Sequence, residues 1–307
     1  HFLARPALWP RAVARHRGTI SAAPSFAYAY VADRVTDADL AGLDLSSWRL
    51  ALDGAEPVSA DAMRRFAARL AGTGFDPGAL VPVYGLAEAA LAVTFGRPGR
   101  PLAGRRLDPV SPAAGGGGRP GDREVGSAGG RVPGVGTAVR TEDGAEAGEG
   151  RLGRIPVRGP SLMAGSSGAP AATAAALRDG WLDTGDLGFA EGGELFVHGR
   201  AKDLVVVRGA NHAPEEFEAA LAGLPGLRPG CAVALGFVPP GGAGEALLVL
   251  AERRRGAEPG DADLEAAARR AILLRTGVAP HAVVLLAPGT LPRFEMKARR
   301  FVREEIP

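Results

Sequence analysis

The chain has 307 residues, 46% of them hydrophobic, which is enough for two domains with cores of their own. Its 36 basic and 34 acidic residues are scattered along the sequence, so the pI near 9.0 sits on a net charge of only +2 and does not mark a nucleic-acid partner. No apolar run is long enough to span a membrane, and the single cysteine, Cys231, excludes an internal disulfide framework and a cysteine-rich zinc site.

The opening HFLARPALWPRAVARHRG lacks a methionine and a clean signal-peptide core, so secretion is not expected and a cytoplasmic protein is. A helix is expected to end near His16-Arg17-Gly18, followed by a strand at Thr19-Ile20-Ser21 and a small-residue loop, Ala22-Ala23-Pro24-Ser25-Phe26. Such a loop at a strand end is where α/β sheets receive ligands. A strand over 48–52 then breaks at Asp53-Gly54-Ala55-Glu56-Pro57, and an amphipathic helix runs over 59–70 with Phe66 and Leu70 one turn apart. Glycine in this turn lets a flat ring approach the backbone, although the residues alone read first as a simple strand-turn-helix connection. A strand over 80–83 runs into Tyr84-Gly85-Leu86-Ala87-Glu88, a turn that aims Glu88 into the same crevice, and then into small residues up to Thr94.

Residues 95–133 are rich in Gly, Pro and Arg and read as a connecting loop with little apolar surface to bury. Short strands alternate with turns over 137–163, which points to a small β-subdomain. In GWLDTGD, Gly185 permits a tight turn that presents Asp186, a carboxylate able to accept two hydrogen bonds from a vicinal diol. Glu191-Gly192-Gly193-Glu194 separates two apolar runs as a hairpin turn, and Gly199-Arg200 follows directly. Beyond Asp203 come a strand over 204–207, Asn211 as an N-cap, and Pro214-Glu215-Glu216 as an acidic first helical turn. Strands over 231–237, 246–251 and 283–287, a turn at Pro239-Pro240-Gly241-Gly242, a helix over 263–275 and a final basic helix complete a small α+β unit. Only two lysines occur, Lys202 between the two units and Lys297 in LPRFEMKARRF.

The order and spacing of DGWLDTGDLGFAEGGELFVHGRAKDLVVVRGANHAPEEFE, together with GAEP and YGLAEAALAVTF, resemble the adenylate-forming enzymes: acyl-CoA synthetases, luciferases and peptide-synthetase adenylation domains. The likeness is greatest to the fatty acyl-AMP ligases and extends over nearly the whole chain. It implies an α/β fold in which 1–198 are the C-terminal part of a large domain, with a connector at 95–133 and a β-subdomain at 134–198. A hinge at 199–203 and a small α+β domain at 204–307 would follow. The implied activity is ATP-dependent activation of a fatty acid to acyl-adenylate, with transfer to the phosphopantetheine thiol of an acyl carrier protein or polyketide synthase carrier domain. An acyl-CoA synthetase using free CoA is the alternative, and a non-catalytic nucleotide-binding remnant is a third, because the family's Ser/Gly-rich phosphate loop is not found in these residues.

The resemblance also assigns residues. Gly54, Ala55, Glu56 and Pro57 would cup the adenine, with Tyr84, Gly85, Leu86 and Ala87 beside the nucleotide. Glu88 would ligate the Mg2+ of ATP, a hard cation that takes only one or two protein oxygens. Asp186 and Arg200 would hold the ribose, Lys202 would be the hinge, and Lys297 the catalytic lysine bridging substrate carboxylate and α-phosphate. Ser25 and Phe26 would border the acyl pocket. The extra length of the connector, an insertion relative to CoA ligases, favours the AMP-ligase reading, and Gly165-Ser166-Ser167-Gly168 falls where the family has a connector and is given no phosphate role. Three departures stand out. Ser25 replaces an Asn of the family pattern, Asp53 stands where a neutral residue is usual, and the segment before Lys297 lacks a glycine and is one residue short.

Overall fold

The computed structural model describes residues 1–107, 123–207, 210–237, 239, 246–256, 260–291, 293–294 and 297–298. Two compact units divide the chain: His1–Arg106 with Glu124–Ala201, and a second that takes up the chain from Lys202.

The chain opens with α1 (Leu8–His16), β1 (Ile20–Ala23), α2 (Ser25–Arg34), α3 (Asp37–Leu40), β2 (Leu50–Asp53), α4 (Ala60–Arg69), β3 (Leu80–Leu86) and β4 (Leu91–Phe95). It continues through β5 (Gly104–Leu107), β6 (Arg123–Gly126), β7 (Gly130–Arg131), β8 (Gly136–Thr137) and β9 (Gly153–Arg158), then α5 (Pro170–Ala176), β10 (Leu177–Arg178), β11 (Trp181–Glu191) and β12 (Glu194–Arg200). Strands β1, β2 and β3 are parallel, and β4 turns back antiparallel on β3. The apolar face of α4 (Met63, Phe66) is buried, and Ser59 caps its N-terminus by accepting from the Ala62 N–H. Tyr28, Trp48 and Phe66 are buried in an aromatic cluster, with the Tyr28 and Phe66 rings 4.9 Å apart and edge to face. Strands β8 to β12 form the β-subdomain, in which β11 pairs with both β9 and β12.

Several expectations change here. Ser25 and Phe26 begin a helix where a loop was expected, because Ala27, Tyr28 and Val31 recur at helical spacing and all three are buried. Tyr84-Gly85-Leu86 continue β3 where a turn was expected, since β4 pairs with them (Tyr84 with Thr94, Gly85 with Ala92). A Cβ on Gly85 would lie 1.5 Å from the Leu91 carbonyl oxygen, so this glycine marks a close backbone approach within a strand pair. The later part of the connector is folded: Gly126 N–H donates to the Val58 carbonyl and Ala128 N–H to the Leu195 carbonyl, and Val125 and Ala128 are buried. Its residues 108–122 lie outside the described residues.

The second unit contains β13 (Val205–Val207), β14 (Ala210–His212), α6 (Pro214–Ala220), β15 (Leu227–Phe237), β16 (Ala246–Arg253), α7 (Asp261–Thr276), β17 (Ala282–Leu286), β18 (Arg293–Phe294) and β19 (Lys297–Ala298). The sheet β15-β16-β17 packs with α7, whose Leu264, Ala268 and Ile272 lie one turn apart and are buried. Asn211 lies in β14 and is not the N-cap. Ala213 takes that place, and its N–H donates to Glu216 Oε1 at 3.0 Å, so the first-turn carboxylate caps the backbone itself. Apart from Pro239, the turn expected at 239–242 lies outside the described residues. Where the final basic helix was expected, the described residues Arg293–Phe294 and Lys297–Ala298 instead form an antiparallel strand pair, Phe294 opposite Lys297, and the rest of that stretch lies outside the described residues. No helix among the described residues is long and apolar enough to cross a membrane.

Candidate functional site

The parallel strands of the first unit finish in register, with Ala23 opposite Asp53 and Asp53 opposite Pro82. Carboxyl ends of parallel strands are where open α/β sheets receive ligands. There the turn 54–57 follows β2. Gly54 N–H donates to the Ala23 carbonyl at 3.3 Å, and a Cβ on Gly54 would meet Val83 Cγ2 at 2.6 Å, so glycine lets the turn lie directly on β3. Ala55 adopts φ 71°, a left-handed conformation that costs a non-glycine residue about 1–2 kcal/mol and that concentrates at functional sites.

The start of α2 ties this turn down. Ser25 Oγ lies 2.7 Å from Asp53 Oδ2 and 3.4 Å from the Pro57 carbonyl oxygen, and it accepts from the Ser59 N–H at 3.0 Å. Phe26 N–H donates to Glu56 Oε2 at 3.2 Å, and the Phe26 ring is half-buried. Two of the three departures from the family pattern, Ser25 and Asp53, are thus hydrogen-bond partners. Asp53 is fully buried, and its Oδ1 has no hydrogen-bond partner. Burial pushes its carboxyl up to about 8, with the charge of Glu56 adding to the effect and the Ser25 hydrogen bond opposing it.

One strand over, the Tyr84 hydroxyl donates to Asp186 Oδ2 at 2.7 Å, and Arg200 Nε lies 3.0 Å from Asp186 Oδ1. Gly185, at φ 72°, sits where the pairing of β11 with β9 slips, so Asp186 is presented by a bulge in a long strand where a tight turn was expected. Its backbone N–H donates to Thr184 Oγ1 at 3.1 Å, and Thr184 in turn donates to the Ile155 carbonyl at 2.7 Å. Burial first, then the Asp186 charge, holds the Tyr84 hydroxyl well above the usual phenol range, so it remains a donor. The Arg200 side chain is 51% exposed, so part of this guanidinium is open to solvent beside Asp186.

Gly85 and Leu86 lie in β3, while Ala87 and Glu88 lie in a 3-10 turn after it, both exposed. The Glu88 carbonyl accepts from Met163 N–H at 2.7 Å, which fixes its backbone. Its side chain has no hydrogen bond or ion pair among the described residues, and an exposed, unengaged carboxylate of this kind fits a hard divalent cation. Lys202 lies in the 3-10 turn Ala201–Asp203, and Lys297 in β19 opposite Phe294; both belong to the second unit. The structure therefore joins Ser25, Phe26 and the turn 54–57 in one cluster and Tyr84, Asp186 and Arg200 in another within the first unit. Sequence reasoning missed Ser59 and Thr184, although the Thr-Gly-Asp run already signalled a hydroxyl two residues before the carboxylate.

The family model described as AMP-binding enzyme matches residues 1–166. The chain belongs to this family. A long-chain-fatty-acid–AMP ligase, FadD26 of Mycobacterium marinum, is 35% identical over 95% of this chain and 53% of its own length. A putative acyl-CoA synthetase of Caulobacter vibrioides is 35% identical over 96% of this chain and 54% of its own. A solved structure from work on the fatty acyl-adenylate ligases of E. coli and L. pneumophila superposes with a TM-score of 0.84 at 35% identity, over 95% of this chain and 53% of that one. The fold is thus that of the adenylate-forming enzymes, part of the large domain followed by a small α+β domain, and the chain spans about half the length of the curated relatives it matches.

Proposed function

We propose that this chain forms part of a cytoplasmic fatty acyl-AMP ligase. The observation that carries the reading is the meeting of Tyr84, Asp186 and Arg200 one strand from the glycine turn, a buried carboxylate flanked by a phenol and a guanidinium. In this reading the adenine lies against residues 54–57, with Tyr84 packing on the nucleotide and Gly85, Leu86 and Ala87 bordering it. The ribose hydroxyls donate to Asp186, and Arg200 supplies a charged donor beside them. Glu88 would hold Mg2+, which when bound neutralises phosphate charge.

A fatty carboxylate oxygen attacks the α-phosphorus of ATP, the new acyl–phosphate bond forms, and the bond to pyrophosphate breaks. Lys297 acts as a mobile cation between the carboxylate and the α-phosphate, and Ser25 and Phe26 lie at the edge of the acyl pocket. The thiol of a carrier-protein phosphopantetheine then takes the acyl group and AMP leaves, with Lys202 as the pivot between the two half-reactions. Free CoA as acceptor is the second reading, favoured by the 35% identical relative named a putative acyl-CoA synthetase. The test is to supply the full-length enzyme with Mg-ATP and fatty acids. Fatty-acid-dependent pyrophosphate release with acyl-AMP in the product mixture supports the proposal, and its absence across chain lengths rejects it.

A further inference from the structure

The fully buried Asp53 carboxyl, at the carboxyl end of β2, has no part in the reading above. Three groups converge on the single hydroxyl of Ser25: Asp53 Oδ2 at 2.7 Å, the Ser59 N–H at 3.0 Å and the Pro57 carbonyl at 3.4 Å. A serine hydroxyl has one proton and two lone pairs. The Ser59 N–H occupies one lone pair. If Asp53 is ionised, its oxygen takes the only serine proton, and the Pro57 carbonyl receives none from Ser25. If Asp53 is protonated on Oδ2, that proton goes to the second lone pair of Ser25, and the serine proton turns to Pro57. Only the protonated form serves every contact, and those contacts grip the turn 54–57 on both sides, at Asp53 before it and at Pro57 and Ser59 after it.

We propose that Asp53 is a positioning residue whose protonated carboxyl completes a hydrogen-bond chain through Ser25, holding the turn 54–57 in its ligand-receiving shape, so that nucleotide affinity follows the protonation of this one group. The coupling to nucleotide rests on the reading of that turn as an adenine contact. The ionisable groups facing Asp53 are Glu56 on its own turn and Tyr28 of α2, whose hydroxyl donates to the Leu52 carbonyl at 2.8 Å. Its register partners, Ala23 in β1 and Pro82 in β3, carry no charge. Tyr28 is held far above its usual range, chiefly by burial, and stays neutral throughout. Ionising Asp53 would also add a second negative charge beside Glu56, close to where an anionic nucleotide is received.

AMP binding to the full-length enzyme, measured by calorimetry from pH 6 to pH 9, tests this. With the Asp53 midpoint near 8, the wild type is expected to bind about tenfold more weakly at pH 9 than on its acid plateau. Asp53→Asn keeps a neutral donor toward Ser25, so it should hold the plateau affinity and show no such fall, whereas Ser25→Ala should weaken binding already at pH 7. A wild-type affinity that stays flat to pH 9, or an Asp53→Asn variant that falls in parallel with it, overturns the proposal. The infrared carbonyl band of a protonated carboxyl in the nucleotide-free chain, present at pH 7 and missing in Asp53→Asn, reports on the latch without any ligand. Its absence from the wild type overturns the latch; its presence in a full-length enzyme that binds no AMP at any pH supports the latch and rejects the nucleotide reading of the turn.

Discussion

Tyr84 and Asp186, 102 positions apart in the chain, are joined by a 2.7 Å hydrogen bond from the phenol to the carboxylate, with the phenol itself largely withdrawn from water. The bond connects the end of β3 to the bulge in β11, so a change in either strand is felt by the same carboxylate.

Replacing Asp186 by Ala removes a charged acceptor and leaves the Tyr84 hydroxyl without this partner. AMP affinity is expected to fall by roughly 1.5–3 kcal/mol. Tyr84→Phe, which keeps the ring and loses only the donor, should cost about 1 kcal/mol. Calorimetry that found Asp186→Ala binding AMP as tightly as the wild type would remove Asp186 from the nucleotide site.

The buried Asp53 makes folding stability depend on pH. Its native midpoint, about 8, lies above the ordinary aspartate value of 3.8, so the native state holds a proton that the unfolded chain has already released. Stability from this group is complete below pH 3.8 and is lost as pH rises to about 8, at up to about 1.4 kcal/mol per pH unit. Urea unfolding of Asp53→Asn should show a shallower decline across that window than the wild type, and parallel curves would contradict a buried neutral Asp53.

Gly85 has no room for a side chain against the Leu91 carbonyl. Gly85→Ala must push β3 and β4 apart, with an expected loss of about 3 kcal/mol, at the upper end of ordinary overpacking. Gly180→Ala meets nothing within 4 Å but lies at φ 76°, so it reports backbone strain alone and is expected to cost less. Thermal melts of the two variants side by side give the comparison, and equal losses would mean that steric contact at Gly85 adds nothing.

For the acceptor, the expected outcome follows the AMP-ligase reading: the full-length enzyme accumulates acyl-AMP and yields little acyl-CoA when offered free CoA. Mass spectrometry of the products decides it, and abundant acyl-CoA would make free CoA the acceptor.

The two lysines are expected to fail differently. Lys297→Ala should abolish acyl-adenylate formation while transfer from supplied acyl-AMP stays nearly intact. Lys202→Pro fixes φ near −65° and restricts the residue before it, so the half-reaction that needs the lost orientation should stop. Pyrophosphate release and thioester formation are assayed separately. Equal loss of both in a folded Lys297→Ala would show that the shortened segment before this lysine does not confine it to adenylation.

Much of the fold could be read from local pattern. The helix ending at His16, the amphipathic α4 helix, the hairpin around Gly192-Gly193 and the strands and long helix of the second unit follow from apolar period and glycine turns. The same signals misled at Tyr84-Gly85-Leu86 and at the bulge of Gly185. A glycine there looks like a turn in sequence, but its use depends on a neighbouring strand, Leu91 in one case and β9 in the other, that sequence does not position.

The sequence by itself determined which chemical groups are available: the glycine turn 54–57, a phenol at Tyr84, carboxylates at Asp53, Glu88 and Asp186, a guanidinium at Arg200, and only two lysines. Only the tertiary structure decided which of them meet. Ser25 and Asp53, 28 positions apart and each read separately as an oddity, become one buried hydrogen-bonded pair, because parallel pairing sets β1 beside β2 and brings the start of α2 over the end of β2. The physical reason is that a carboxyl's charge and partners are set by burial and by neighbours across the sheet. Those are properties of packing, which no single stretch of chain contains.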